Sequence, residues 1–238
     1  MRRLIVPAIG ALLILAAGGI VGWTLRRPAA DARAYATMRL VAVQVALDEA
    51  PRDYVFLAGD SQSELQPGDQ RPCGLALING GVSGATSTAY ADYLAGLTFP
   101  VRPQAASLTV GTNDILLKNR PRGEDAATRF EGHAERIVRN LQAITGRVVV
   151  TALPPVGREI AAFVDAGAVV DYSARLKALC ERLGCTFADP YADLRDGKTG
   201  YAKPGALRDG LHLARFRPAL AALTPALCGK EEGSPRPR

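Results

Sequence analysis

Five short apolar runs recur along the chain, each stopped by a glycine, asparagine, aspartate or proline, and stretches with helical spacing separate them. Tyr54–Ala58 ends at Gly59, Leu75–Ile78 at Asn79-Gly80-Gly81 and Ser107–Val110 at Gly111. Arg147–Ala152 ends before Leu153-Pro154-Pro155, and Thr186–Ala188 at Asp189-Pro190. Runs that are apolar on both faces suit strands covered on both sides. Ala32–Ala50 reads as a helix ahead of the first strand. Ser87–Gly96, Glu124–Ile144, Val170–Leu183 and Ala214–Leu227 read as helices with apolar positions at helical intervals. Gly146 and Gly184 follow two of these helices as C-caps. This alternation predicts an α/β fold around a parallel sheet of about five strands. In such sheets ligands bind at the carboxyl ends of the strands.

The length of 238 residues suits one domain of ~200 residues with an appendage. Hydrophobic residues at 48% and charged residues at 22% exclude a disordered chain and a polytopic membrane protein. The net charge of +6 raises the question of nucleic acid, so its placement matters. Arg2, Arg3, Arg26, Arg27 and Arg33 against Asp31 put most of the excess before residue 34. Lys230, Arg236 and Arg238 against Glu231 and Glu232 add a little more at the far end. The body between is almost neutral, which argues against nucleic-acid binding.

The appendage is N-terminal. Leu4 to Leu25 carries no charge, and Thr24 is its one polar side chain. Its 22 residues would span a ~30 Å hydrocarbon layer as a helix. Arginine pairs flank the run, and Trp23 sits where an interfacial ring belongs. Residues 1–33 are therefore expected to be a transmembrane anchor, with a signal segment cleaved near Ala30-Asp31-Ala32 as the rival reading. The arginine count on the two sides of the run is nearly a tie and leaves the orientation open. N-terminal anchors commonly leave the body, here 34–228, outside the cytoplasm, at a cell surface or in a periplasm, and a cleaved signal would leave it secreted. The tail 229–238 is polar and Pro-rich and is expected to be disordered. Cys73, Cys180, Cys185 and Cys228 are an even set with no Cys-x-x-Cys pair. Buried free thiols and two bridges both fit that set. If bridges form, the pairing expected is Cys180–Cys185 and Cys73–Cys228.

Four polar blocks carry the chemistry. Gly59-Asp60-Ser61 follows the first run, where a serine at the carboxyl end of a strand can be a nucleophile or merely cap a helix. Asn79 to Thr86 follows the second, and its glycines let backbone approach a ligand or simply turn the chain. Gly111-Thr112-Asn113-Asp114 follows the third, where an Asn amide can donate to an oxyanion. Asp209-Gly210-Leu211-His212 comes near the end, and a carboxylate just before a histidine can hold Nδ1–H and leave Nε2 as a base. Only two histidines exist, and His133 lies among charged neighbours on a helix, where it reads as structural.

Together these blocks resemble, in order and placement, the SGNH hydrolases, also called GDSL esterases and lipases. The resemblance runs from about Tyr54 to Leu227 through Gly59-Asp60-Ser61, Val82-Ser83-Gly84, Gly111-Thr112-Asn113-Asp114 and Asp209-x-x-His212. It implies a flavodoxin-like three-layer α/β/α sandwich. It also implies Ser61 as nucleophile, His212 as general base and Asp209 as the residue orienting His212. The Ser61 and Gly84 N–H groups and the Asn113 amide would form the oxyanion hole. Gln62 stands where the family commonly has leucine. No Gly-x-Ser-x-Gly elbow surrounds Ser61, unlike the separate α/β-hydrolase family.

The function expected is hydrolysis of acyl or acetyl esters, on a small-molecule, glycan or lipid substrate, through an acyl-enzyme on Ser61. The chemistry calls for no metal or cofactor. O-acyl transfer to cell-surface glycan and a non-catalytic protein of the same fold are the alternatives.

Overall fold

The computed structural model describes residues 32–229, with side chains from Tyr35 onward. The proposed anchor, Leu4 to Leu25, and nearly all of the tail lie outside the described residues. Among the described residues, no helix is long and apolar enough to cross a membrane. Within the described residues, Met38 to Gly229 form one compact unit.

The element order is α1 (Ala32–Asp48), β1 (Tyr54–Gly59), α2 (Ser61–Glu64), β2 (Ala76–Gly81), α3 (Ser87–Ala95), β3 (Ala105–Thr109), α4 (Glu124–Ile144), β4 (Val148–Thr151), α5 (Ala166–Leu183), β5 (Thr186–Ala188) and α6 (Arg217–Cys228). The five strands form one sheet in the order β2-β1-β3-β4-β5, and every pairing is parallel. This is the flavodoxin-like order, with its switch point between β1 and β3. The chain steps left from β1 to β2 and right at each later crossover. Right-handed connections therefore place α3, α4 and α5 on one face and the β1–β2 connection on the other.

α6 covers that second face. Its Leu220, Leu223 and Leu227 pack on Val55, Leu57, Ala105 and Val149. These positions alternate along β1, so Tyr54, Phe56 and Ala58 point to the opposite layer. All six residues of β1 are buried, as a central strand between two helical layers requires.

Several details depart from expectation. β2 does not stop at Ile78 but continues through Asn79, Gly80 and Gly81, which pair with Leu57, Ala58 and Gly59. The glycines stay extended because Gly80 packs against the Phe56 ring, leaving no room for a side chain. α5 begins at Ala166, ahead of Val170, because Asp165 caps it by accepting the Ala168 N–H at 3.0 Å. α6 begins at Arg217, after Ala214, with a proline in its first turn. Gly184 is left-handed as a C-cap should be, whereas Thr145 rather than Gly146 caps α4.

Both disulfides are present, Cys73–Cys228 and Cys180–Cys185. The first ties the end of α6 to the β1–β2 connection. The second closes the α5–β5 turn.

Candidate active site

β1 delivers Ser61 to the carboxyl edge of the sheet at the switch point. Gly59 has φ +137°, and a Cβ there would lie 1.9 Å from the Thr109 carbonyl oxygen. Only glycine lets β1 turn so close to β3. The next residue is the helix cap: Asp60 Oδ1 accepts the Gln62 N–H at 3.0 Å. Ser61 is thus the first residue of α2, not its cap. Asp60 Oδ2 accepts the Thr112 N–H at 3.1 Å, which ties the first block to the third.

Ser61, His212 and Asp209 form one hydrogen-bonded chain. His212 Nε2 lies 3.0 Å from Ser61 Oγ, and His212 Nδ1 lies 2.7 Å from Asp209 Oδ2. Asp209 Oδ1 also accepts the N–H groups of Leu211 at 3.0 Å and His212 at 2.8 Å. Partial burial works to raise the Asp209 carboxyl, but the bonds from the His212 ring, the His212 N–H and the Leu211 N–H outweigh it and bring it down to about 2. Its charge is therefore in place at any ordinary pH.

The loop that carries this pair is held on both flanks. Leu207 bridges Leu213, and the Gly157 N–H donates to the Gly210 carbonyl at 2.7 Å. Leu213 is fully buried among Tyr191, Phe216 and Ala219. Sequence reasoning missed a further brace. Gln62, 1% exposed, donates from Nε2 to the Leu211 carbonyl at 2.8 Å, joining the residue after Ser61 to the residue before His212. Its Oε1 is buried without a hydrogen-bond partner. A polar residue at a position where the family commonly has leucine was the available signal.

The expected oxyanion donors stand at the ends of β2 and β3. Gly84 has φ +78°, in the turn closed by the Ala85 N–H on the Val82 carbonyl at 3.1 Å. Asn113 donates one N–H of its amide to the Ala85 carbonyl at 3.0 Å, which orients the amide and leaves its second N–H available. His133 sits on α4, outside the hydrogen-bonded chain.

Glu64 was also unforeseen. Its Oε2 accepts the Ser83 N–H at 2.5 Å, and its Oε1 pairs with Arg39 Nε at 3.4 Å. Arg39, on α1, also donates to the Asn79 and Gly81 carbonyls. The peptide next to Gly84 is thus fixed to the helix that carries Ser61. Glu64→Ala is expected to lower kcat about tenfold with little change in KM, since small misplacements of a catalytic donor are costly. Glu64→Gln, which keeps an acceptor, is expected to recover part of the loss. Equal losses in both variants, or a loss confined to KM, would contradict this positioning role.

Asp60 has a pH consequence. Burial raises its carboxyl to about 6, against the pull of the N–H bonds it accepts. The folded chain then holds that proton more tightly than the unfolded chain. Stability from this group is full below the usual carboxylate range and falls as pH rises through about 6. The loss is about 3 kcal/mol across that window. Urea unfolding at several pH values should show this slope in the native chain and not in Asp60→Asn. The same slope in both would assign it to other groups.

Comparison with known proteins agrees with this geometry. The model of the GDSL-like Lipase/Acylhydrolase family matches residues 58–215, more than half of the chain. A search of curated proteins finds no match. Solved structures with the same fold include one from Streptococcus pneumonia described as a platelet activating factor. It has a TM-score of 0.67 and 18% identity, over 90% of this chain and 99% of that one. A GDSL-like lipase from Bacteroides thetaiotaomicron has a TM-score of 0.55 and 20% identity, over 84% and 96%. A catalytic mutant of an acetylxylan esterase from Geobacillus stearothermophilus has a TM-score of 0.54 and 14% identity, over 76% and 94%. At these identities the structures speak for the fold, and the family rests on the matched model. The serine after β1, the blocks after β2 and β3 and the late Asp-x-x-His all lie within the matched residues, and the chain belongs to the GDSL-like lipase/acylhydrolase family, the SGNH hydrolases.

Proposed function

We propose that the protein is a serine hydrolase that cleaves carboxylic esters through an acyl-enzyme on Ser61. The hydrogen-bonded chain Ser61–His212–Asp209 is the observation that carries this reading. His212 Nε2 takes the Ser61 proton as Oγ bonds to the ester carbonyl carbon. Asp209 holds the Nδ1–H and balances the charge that forms on the ring. The carbonyl oxygen, now an oxyanion, is held by the Ser61 and Gly84 N–H groups and the free N–H of Asn113. Losing one such donor typically costs ~3–4 kcal/mol. The carbon–alkoxy bond then breaks, and His212 passes its proton to the leaving alcohol. Water adds to the acyl-enzyme by the same steps, releasing the acid and restoring Ser61.

The two disulfides favour an oxidising compartment, which supports an extracytoplasmic place for the domain. The proposed anchor at Leu4 to Leu25 would hold it there, beside a membrane.

The test is hydrolysis of p-nitrophenyl acetate and butyrate by the full chain, followed by release of nitrophenol. Steady turnover of at least one ester is expected. A folded chain that turns over neither would overturn the reading.

A further inference from the structure

Asp209 and His212 ride on a tongue of chain that is folded on itself. Over residues 206–214 the Ala214 N–H donates to the Ala206 carbonyl and the Arg208 N–H to the His212 carbonyl, each at 2.9 Å. Leu207 bridges Leu213, and Arg208 Nε donates to the Leu213 carbonyl at 3.1 Å. At the tip, Asp209 takes the N–H groups of Leu211 and His212 on one oxygen and the His212 ring on the other. The pair is therefore held together from within the tongue and moves as one body. That internal order does not set the distance from His212 Nε2 to Ser61 Oγ.

The distance depends on how the tip is docked. The Gly157 N–H on the Gly210 carbonyl, at 2.7 Å, ties the tip to the β4–α5 connection. Gln62 Nε2 on the Leu211 carbonyl, at 2.8 Å, ties it to α2, the helix that begins at Ser61. Of these two bonds, the second joins the tip to the element that carries the serine.

Gln62 is a stiff post. Its own N–H is fixed on Asp60 Oδ1 at 3.0 Å, and its side chain is buried. The amide cannot be turned over, since Oε1 would then face the Leu211 carbonyl, acceptor against acceptor. In the setting that donates, Oε1 is left buried with no partner. A buried acceptor without a donor costs stability. Methionine, or the leucine that the family commonly has here, would fill a similar volume without that cost. The Leu211 carbonyl would stay within reach of water, because Leu211 is only half-buried. Glutamine here thus gives up stability for a bond that reaches the tongue, a trade expected of residues that serve activity.

We propose that Gln62 is a positioning residue for His212: its amide docks the tongue on α2 and so sets the gap that the Ser61 proton crosses. The proposal rests on the esterase reading and adds a residue that acts through His212 rather than on the substrate.

The test uses the full chain with Gln62→Met and Gln62→Leu, each with and without His212→Ala. The substrate is p-nitrophenyl acetate or butyrate, whichever the unaltered chain turns over faster. Each Gln62 variant is expected to lower kcat about tenfold, since small displacements of a catalytic group are costly, with KM within about twofold. Tm is expected to hold level or rise by up to about 4 °C as the unpaired acceptor is removed. In the His212→Ala background, the same substitutions should change the residual rate by less than about twofold, because the group they position is gone. An unchanged kcat in both variants, a fall in Tm alongside the fall in kcat, or an equal loss on top of His212→Ala would overturn the positioning role and leave the esterase standing. No turnover of either ester by the unaltered chain would overturn both.

Discussion

His212→Ala is expected to lower kcat for ester hydrolysis by about 10⁴-fold or more, with KM little changed. Among the described residues, His212 Nε2 is the group hydrogen-bonded to Ser61 Oγ, at 3.0 Å, and it is placed to take the proton. Ser61→Ala should lose a similar amount, because each variant removes the same step. The double variant should then be no worse than either single one, since residues that act as a unit are strongly non-additive. Asp209→Asn should cost less than either. It keeps the loop contacts through its remaining oxygen but no longer holds the imidazole as a charge partner. Steady-state rates on p-nitrophenyl acetate for the four variants measure this. Additive losses in the double variant would mean that Ser61 and His212 serve separate steps.

The second large effect is on stability. Cys73 and Cys228 are 155 residues apart, and closing a loop of that length restricts the unfolded chain by about 5 kcal/mol. Cys180 and Cys185 are 5 residues apart, which by the same reasoning contributes about 2 kcal/mol. The long bridge also holds the end of α6, whose Leu227 is part of the core on the α6 side of the sheet. Replacing Cys73 and Cys228 by serine should therefore lower Tm by about 10–15 °C, and the Cys180/Cys185 pair by much less. Thermal unfolding of the two double-serine chains decides this. A larger loss from the short bridge would contradict the loop-length account.

Much of the site was legible because the sheet is parallel and buried. Runs such as Tyr54–Gly59 declare themselves by being apolar throughout, and a parallel sheet brings the residues after β1, β2 and β3 to one edge. The blocks holding Ser61 and Asn113 could therefore be found after the ends of runs, whereas the choice of Gly84 within the second block came from the family resemblance. Asp209 and His212 sit on a loop with no strand to mark it, and the cues were their three-residue spacing, the scarcity of histidine and the family resemblance.

What was not legible depends on partners far away in sequence. Glu64 reads as a surface carboxylate until α1 brings Arg39 to it and β2 brings Ser83. Gln62 makes sense only once the His212 loop folds over it. The glycines of β2 looked like a turn because glycine is poor in strands, and only the Phe56 ring against Gly80 explains why they stay extended. The start of α5 depended on reading Asp165 as a cap.

The most direct test of the account is chemical. The native chain should be treated with a fluorophosphonate, digested, and its peptides weighed by mass spectrometry. One adduct is expected, on Ser61, forming with loss of esterase activity and much more slowly in His212→Ala. An adduct on another residue with loss of activity, or ester hydrolysis that persists with Ser61 fully modified, would contradict it.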